Sequence, residues 1–206
     1  SEPHKMLAGV YSTPNIYARV KGVFTNTVPI SAYRGAGRPE AAFVLERLID
    51  IAARRLGLPA DEIRRRNFVP PEAMPYQTPT GHVYDSGEFA ETMAKGLELA
   101  DWKGFDGRRA KAAERGKLGG IGLAYYVEVT VGESEEHARV EVTSNGAVTG
   151  YVGTQTNGQG HETAYAQIIA ERLGVPFESV RILSGDSDAL PGGGGTAGSR
   201  SLVSGG

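Results

Sequence analysis

The chain has 206 residues, 40% of them hydrophobic, and a formal net charge of −2; it can bury a core in one or two domains and is too balanced to present the basic face that nucleic acid or an anionic membrane selects. It has no cysteine, which excludes disulfides, thiolate zinc sites and iron–sulfur clusters on this chain, so redox chemistry here would need a bound organic or metal–organic cofactor. No apolar run reaches membrane-spanning length and no signal-peptide pattern is present, so no membrane insertion is expected and the expected location is cytoplasmic.

In chain order, the absence of an initiator methionine and the close at Ser204-Gly205-Gly206 read as a piece of a longer polypeptide. Residues 17–27 carry Val20, Val23 and Phe24 in weak alternation, which suits a strand. Gly35 and Gly37 then bracket one residue. Pro39 fits a first helical turn, and Ala41, Leu45, Leu48, Ile49, Ala52 and Leu56 recur at helical spacing until Gly57 ends the helix. A second short helix is predicted over 59–67, with the basic run 64–66 as a solvated face.

Residues 70–84, rich in proline, read as an extended connector. Asp85 or Ser86 can cap a helix through Leu99, Trp102 can anchor its end, and 108–117 is a charged helix. Residues 119–131 alternate as a strand and 133–136 read as an acidic turn. Asn145-Gly146 is a strong hairpin signal between 139–143 and 147–152. The chain then enters Gly158-Gln159-Gly160 and a helix to Leu173, followed by a strand over 180–183 and the glycine-rich run 192–201. ARRLGLPADEIR, from position 53, matches AERLGVPFESVR, from position 170, and a Gly-x-Gly helix start precedes each. Two related halves facing one ligand are one reading. The common form of any amphipathic helix stopped by glycine and proline is the other.

The candidate sites follow from donor chemistry. Glycines beside Gln159 let backbone pass close to a ligand, and the open N–H groups of the helix that follows suit an anion or a polar cofactor edge, although the same pattern also serves as a plain turn. Arg34 offers planar, permanently charged donors to an oxygen-rich ligand, with a structural ion pair as the competing role. Gly192 to Gly195 with Thr196, Gly198, Ser199 and Ser201 can cradle a phosphate or pterin, or form only a flexible loop. His4, His82, His137 and His161 lie at no metal-ligand spacing, and Asp186 and Asp188 read as turn residues, so no metal ligands are assigned to side chains. No nucleophile elbow or nucleotide phosphate loop is present.

SAYRGAGRPEA, TNGQGHETAYAQI and GGGGTAGSRS together resemble the molybdopterin-binding large subunit of the xanthine dehydrogenase, aldehyde oxidase and aerobic carbon monoxide dehydrogenase family, over essentially the whole chain. The resemblance implies an α+β fold of mixed sheets with packed helices. It divides the chain into 1–70 as the end of one molybdopterin-binding domain, 71–118 as a connector with helices and 119–206 as the start of a second. It implies a molybdenum–pyranopterin cofactor, in its mononucleotide or its cytosine dinucleotide form, held through the pterin and not by protein side chains. Gln159 would approach the metal, framed by Gly158, Gly160 and His161. Thr196, Gly198, Ser199 and Ser201 would meet the pterin and its phosphate tail. Gly35 would also belong to the cofactor-binding set, and Arg34, with Gln159 a catalytic residue, would lie on the substrate side.

The family reaction is hydroxylation of an aldehyde or N-heterocycle with water as the oxygen source. Electrons leave through iron–sulfur and FAD subunits, and no carboxylate here matches the family's general-base glutamate, so the chain by itself is expected to be inactive. Copper-containing members carry cysteine where Gly35 stands. A carbon monoxide dehydrogenase large chain proper, or a non-enzymatic domain binding a phosphate-bearing ligand, are the alternatives.

Overall fold

A computed structural model describes residues 3–130, 136–190 and 192–206. The chain divides into two compact units, Ser1–Glu128 and Val129–Gly206, so the residues expected as a connector, 71–118, belong to the first unit.

The first unit is built on two helices, α1 (Arg38–Leu56) and α2 (Ala60–Asn67). Proline at the start of α1 costs no hydrogen bond there, because the first helical N–H groups have no acceptor within the helix. Gly57, at φ 64°, ends it, and the Leu58 N–H reaches back to the Ala53 carbonyl at 2.9 Å, a C-terminal motif that needs a left-handed residue. The inward face of α1 keeps Ala41, Leu45 and Ile49 of the apolar reading and departs from it elsewhere. Ala41, Glu46 and Ala53 face inward, while Leu48 and Leu56 stay 58% and 67% exposed. A charged residue takes the core position because a second charge is waiting for it.

That charge is Arg64 on α2. The basic run expected as a solvated face splits: Arg65 and Arg66 pair outward with Asp61 and Glu62, whereas Arg64 is fully buried. Its guanidinium donates to Glu46 Oε2 at 2.9 Å, Asp50 Oδ1 at 3.0 Å, and the carbonyls of Ala60 and Leu123 at 2.8 Å each. Glu46 in turn accepts from the Tyr11 hydroxyl at 2.5 Å and the Tyr125 N–H at 2.8 Å. Burial works against the Arg64 charge, but Glu46, Tyr11 and Asp50 together outweigh it and hold its pKa above the ordinary value. The Tyr11 hydroxyl is pushed far up by burial and by the Glu46 carboxylate.

Around this pair lies an aromatic and aliphatic core of Val10, Tyr11, Phe68, Val69, Phe89 and Met93. Tyr11 stacks on Phe68 at 5.8 Å, and Tyr125 meets Phe68 and Phe89 at 5.2 and 6.0 Å. Residues 119–130 form no ladder among the described residues, contrary to the strand expected there. Their alternation is nonetheless used, since Leu123, Tyr125 and Val127 pack on the core and backbone groups of residues 123 and 125 bond to Arg64 and Glu46 in place of a neighbouring strand. Residues 17–27 likewise form no strand. Tyr17, Val20, Val23 and Phe24 are 68 to 106% exposed, and an extended segment gains a strand's stability only when a neighbour takes its N–H and C=O groups.

The proline-rich stretch 70–84 is more than a connector. It holds a two-residue hairpin, β1 (Tyr76–Gln77) and β2 (Val83–Tyr84), whose tyrosines pack on the core. Burial pushes the Tyr84 pKa up to about 12. Helix α3 (Phe89–Leu99) begins later than a cap at Asp85 or Ser86 would place it, because the Ser86 hydroxyl bonds the Asp85 carboxylate and not a helix N–H. Helix α4 (Phe105–Glu114) has no buried residue and is the solvated charged helix expected.

The second unit is a three-stranded sheet under a helix. β3 (Ala138–Val142) and β4 (Val148–Val152) pair antiparallel, and β5 (Val180–Ser184) adds parallel to β4. The hairpin turns at Gly146, φ 84°, with the Ala147 N–H held by the Asn145 side chain at 3.2 Å. The expected acidic turn 133–136 lies outside the described residues except for Glu136. Helix α5 (His161–Leu173) connects the parallel pair and covers β4, where Val148, Gly150 and Val152 point inward. Gly150 leaves room for the isoleucine methyls above it: a β-carbon there would lie 2.6 Å from Ile169 Cδ1 and 2.9 Å from Ile182 Cδ1. Asp186 holds the Asp188 N–H at 3.0 Å as the turn residue it was read to be.

The ends of α5 repeat those of α1. Gly37 and Gly160 start them at φ 92° and 80°, Gly57 and Gly174 end them at φ 64° and 67°, and Pro59 and Pro176 follow at φ −58° in both. The sequence repeat is a backbone repeat.

Arg64→Met should destabilise the first unit by about 3–5 kcal/mol, because it strands a buried carboxylate. Replacing Glu46 and Arg64 together by methionine should cost less than the single change. Denaturant unfolding measures both, and a single-mutant loss of about 1 kcal/mol or less, the size of an exposed pair, would refute the assignment.

Candidate functional site

Three glycine loops carry the residues selected from sequence. In the first unit, Gly35, Ala36 and Gly37 run left-handed in succession at φ 88°, 49° and 92°. A β-carbon at Gly35 would sit 2.5 Å from the Pro39 ring, so the turn into α1 admits only glycine there. Arg34 is exposed at the head of this loop and pairs with no carboxylate among the described residues. The neighbouring arginine is the structural one. Arg38 is buried, donates through Nε to the Gly35 carbonyl at 2.9 Å, and meets Glu128 at 2.9 Å.

In the second unit, β4 runs into Thr154, which is buried and shares a 2.6 Å hydrogen bond with Tyr165 of α5. The Tyr165 hydroxyl also donates to the Ser201 carbonyl at 2.8 Å, which ties the strand exit, α5 and the short helix α6 (Ser201–Gly205) together. Burial raises the Tyr165 pKa. Gly158 and Gly160, at φ 100° and 80°, carry Gln159 at the start of α5. Gln159 Oε1 accepts from the Asn157 N–H and the Thr156 hydroxyl. That fixes the amide plane, and Nε2 donates to none of the described residues. His161 is buried at the helix start. Its Nδ1 lies 3.3 Å from the Thr154 carbonyl and its ring meets Tyr165 edge-on, so it braces the loop from the protein side.

The third loop, 192–199, is also in the second unit. A β-carbon at Gly193 would lie 2.8 Å from Gly153 Cα, and one at Gly153 would lie 2.9 Å from Gly193 Cα, so the backbone at the end of β4 packs directly on the tetraglycine. The Thr196 hydroxyl donates to the Gln155 carbonyl, which fastens this loop to the approach to Gln159. Gly198 and Ser199 are left-handed at φ 63° and 59°. Ser199 is exposed, and Ser201 is buried at the start of α6. Gly195, Thr196, Ala197 and Gly198 offer backbone N–H groups to no described acceptor.

Arg38, Glu128, Glu136 and Arg200 were missed by sequence reasoning. The available signal was an arginine at the end of two of the three glycine loops, in GAGR and AGSR. A shallow groove of about 460 Å³ along α5, lined by Thr163, Gln167, Ala170, Glu171, Val175 and Phe177, contains none of the glycine-loop residues. Among the described residues no three His, Asp or Glu side chains converge as a directly ligated metal requires, and no helix is long and apolar enough to cross a membrane. What the second unit presents is unpaired N–H donors, a fixed side-chain amide and a helix N-terminus. This set fits a large, oxygen-rich, anionic organic group.

Gly193→Ala should destabilise the second unit by about 1–3 kcal/mol through overpacking. Gly192→Ala should be close to neutral, since its β-carbon would meet only the His137 ring at 3.6 Å. Thermal unfolding of the two variants side by side checks this, and equal effects would refute the close backbone contact.

A family model described as a molybdopterin cofactor-binding domain matches residues 95–206, and a second with the same description matches 2–68. The chain is 37% identical to the carbon monoxide dehydrogenase large chain of Hydrogenophaga pseudoflava over 94% of its length, and 36% identical to the nicotine 6-hydroxylase large subunit of Paenarthrobacter nicotinovorans over 95%. It spans about a quarter of those relatives, 26% and 25% of their lengths. Quinoline 2-oxidoreductase from Pseudomonas putida 86 has a similar structure, with a TM-score of 0.84 and 37% identity over 95% of this chain and 26% of that one. The chain thus belongs to the molybdopterin-binding large-subunit family of the xanthine dehydrogenases, aldehyde oxidases and carbon monoxide dehydrogenases.

Proposed function

We propose that this chain is part of the large subunit of a molybdenum hydroxylase acting on an aldehyde or N-heterocycle, with iron–sulfur and FAD subunits as electron-transfer partners and a cytoplasmic location. The observation that carries the reading is Gln159, whose Oε1 is fixed by the Asn157 N–H while Nε2 remains available at the N-terminus of α5. When bound, the molybdenum–pyranopterin, in mono- or dinucleotide form, supplies two-electron oxidation of the substrate carbon with water as oxygen source. Gln159 donates to the polar edge of that cofactor from a plane already set before it binds, so little reorganisation is required. Gly158 and Gly160 keep side-chain bulk away from that edge, and His161 holds the strand exit beneath them. Thr196, Gly198, Ser199 and Ser201, with the open N–H groups of their loop, hold the pterin and its phosphate. Gly35 lets backbone approach closely, and Arg34 directs a permanent charge toward an oxygen or ring nitrogen of the substrate.

Two relatives carry nicotine and quinoline in their names, which favours an N-heterocycle. Carbon monoxide is less well supported, although a carbon monoxide dehydrogenase is among the relatives. Copper(I) selects soft thiolate ligands, and Gly35 stands in a chain with no cysteine.

In the full-length, cofactor-loaded enzyme, Gln159→Ala should lower kcat by about 10² to 10³ with molybdenum content unchanged, the usual effect of removing one preorganised donor. Near-normal turnover at full loading would remove Gln159 from the mechanism. Metal analysis of the same preparation should find molybdenum without stoichiometric copper. Equimolar copper would restore the carbon monoxide reading, and absence of molybdenum and pterin would favour a non-enzymatic phosphate-ligand domain.

A further inference from the structure

Arg200 follows the tetraglycine loop directly and is only 9% exposed. Its Nη2 donates to the carbonyls of Gly194 and Gly195 at 2.6 and 3.1 Å, and its Nε to Glu136 Oε1 at 3.3 Å. The same Oε1 accepts the Gly194 N–H at 3.2 Å. Both polar groups of Gly194 are therefore held by one ion pair, and two loop carbonyls are turned onto a guanidinium. A peptide stretch normally presents donors and acceptors in equal number. With two acceptors taken up, the N–H groups of residues 195–198 are left in excess, and the loop becomes a net donor surface.

Glu136 is unusual for a residue serving stability alone. Its side chain is 1% exposed, yet Oε2 has no hydrogen-bond donor among the described residues and lies where a β-carbon on Gly153 would come within 3.3 Å of it. A buried carboxylate with one oxygen unsatisfied is costly, and such costs are retained mostly where function needs the geometry. The first unit uses a similar device, with Arg38 holding the Gly35 carbonyl and pairing with Glu128.

We propose that Arg200 and Glu136 are positioning residues that hold the loop 192–199 in its donor-rich form for the anionic, oxygen-rich part of the cofactor, touching the loop and not the cofactor itself. This rests on the reading of that loop as a cofactor loop. Arg200 must be a fork for this role. A lysine keeps the charge beside Glu136 but cannot span two carbonyls and a carboxylate at once.

The test uses the full-length subunit with Arg200→Met, Arg200→Lys and Glu136→Gln. Amide hydrogen exchange is measured on cofactor-free protein at Gly194, the loop N–H that Glu136 accepts, and molybdenum per subunit on protein made under loading conditions. Loss of the Arg200 fork should free the Gly194 peptide and speed exchange of its N–H by about tenfold or more, while the unpaired N–H groups of 195–198 exchange fast in every variant. Exchange in α5 should stay unchanged, and molybdenum content should fall several-fold in both Arg200 variants. Glu136→Gln, which still accepts from the Gly194 N–H, should show the smaller change in both readouts. If Arg200→Met does not fold, Arg200→Lys carries the comparison. Unchanged Gly194 exchange in a folded Arg200 variant overturns the proposal, and so does a loosened loop that keeps wild-type molybdenum. Wild-type protein without molybdenum would overturn the cofactor reading beneath it, and that failure is visible before any substitution is made.

Discussion

A guanidinium with no access to water determines how the first unit is built. Arg64 could not remain charged in the interior without carboxylates and carbonyls converging on it, because removing a charge from water costs several kcal/mol even after relaxation. Glu46, Asp50, Ala60 and Leu123 supply those partners from α1, α2 and the extended 119–130 segment. Tyr11 and Tyr125 fill the remaining positions on Glu46. An apolar pair of the same volume could hold the helices together, but it would set no register. The directed bonds hold α1, α2, Tyr11 and the extended segment in one arrangement.

The second unit depends on backbone proximity instead. Gly150 lets α5 settle on β4, and Gly153 and Gly193 touch without side chains between them. Tyr165 then bridges Thr154 and the Ser201 carbonyl. Gln159 and the 192–199 loop are both anchored to the end of a single strand, β4, through Thr154 and Gln155. A loop fixed at its root can leave its donors unpaired at its tip. Unpaired donors are affordable only where a ligand or water meets them.

In both units a buried arginine follows the glycine run and grips a loop carbonyl, with a glutamate as its counter-charge. Glycine permits left-handed turns but also raises the entropy that must be lost when the loop orders. The arginine fork supplies the order that glycine removes. Flexible residues and a rigid clamp are therefore found together.

Local residue chemistry determined the helices that begin after Gly37 and Gly160 and end at Gly57 and Gly174, the Asn145-Gly146 hairpin, the turn at Asp186 and the positions of the three glycine loops. Each of these follows from left-handed glycines, proline at fixed φ and side chains that bond their own backbone, all interactions within a few residues. The family was also legible, because its motifs are those same short loops. Only the tertiary structure decided that Arg64 is buried while Arg65 and Arg66 are solvated, that Glu46 and not Leu48 or Leu56 faces the core, and that residues 17–27 and 119–130 alternate without forming strands. It also revealed Arg38, Arg200, Glu128 and Glu136 as the residues that hold the loops. The burial of Arg64 and Glu46 depends on partners as far as 79 residues away in sequence, and a charge or a strand edge is satisfied only by what folding brings beside it.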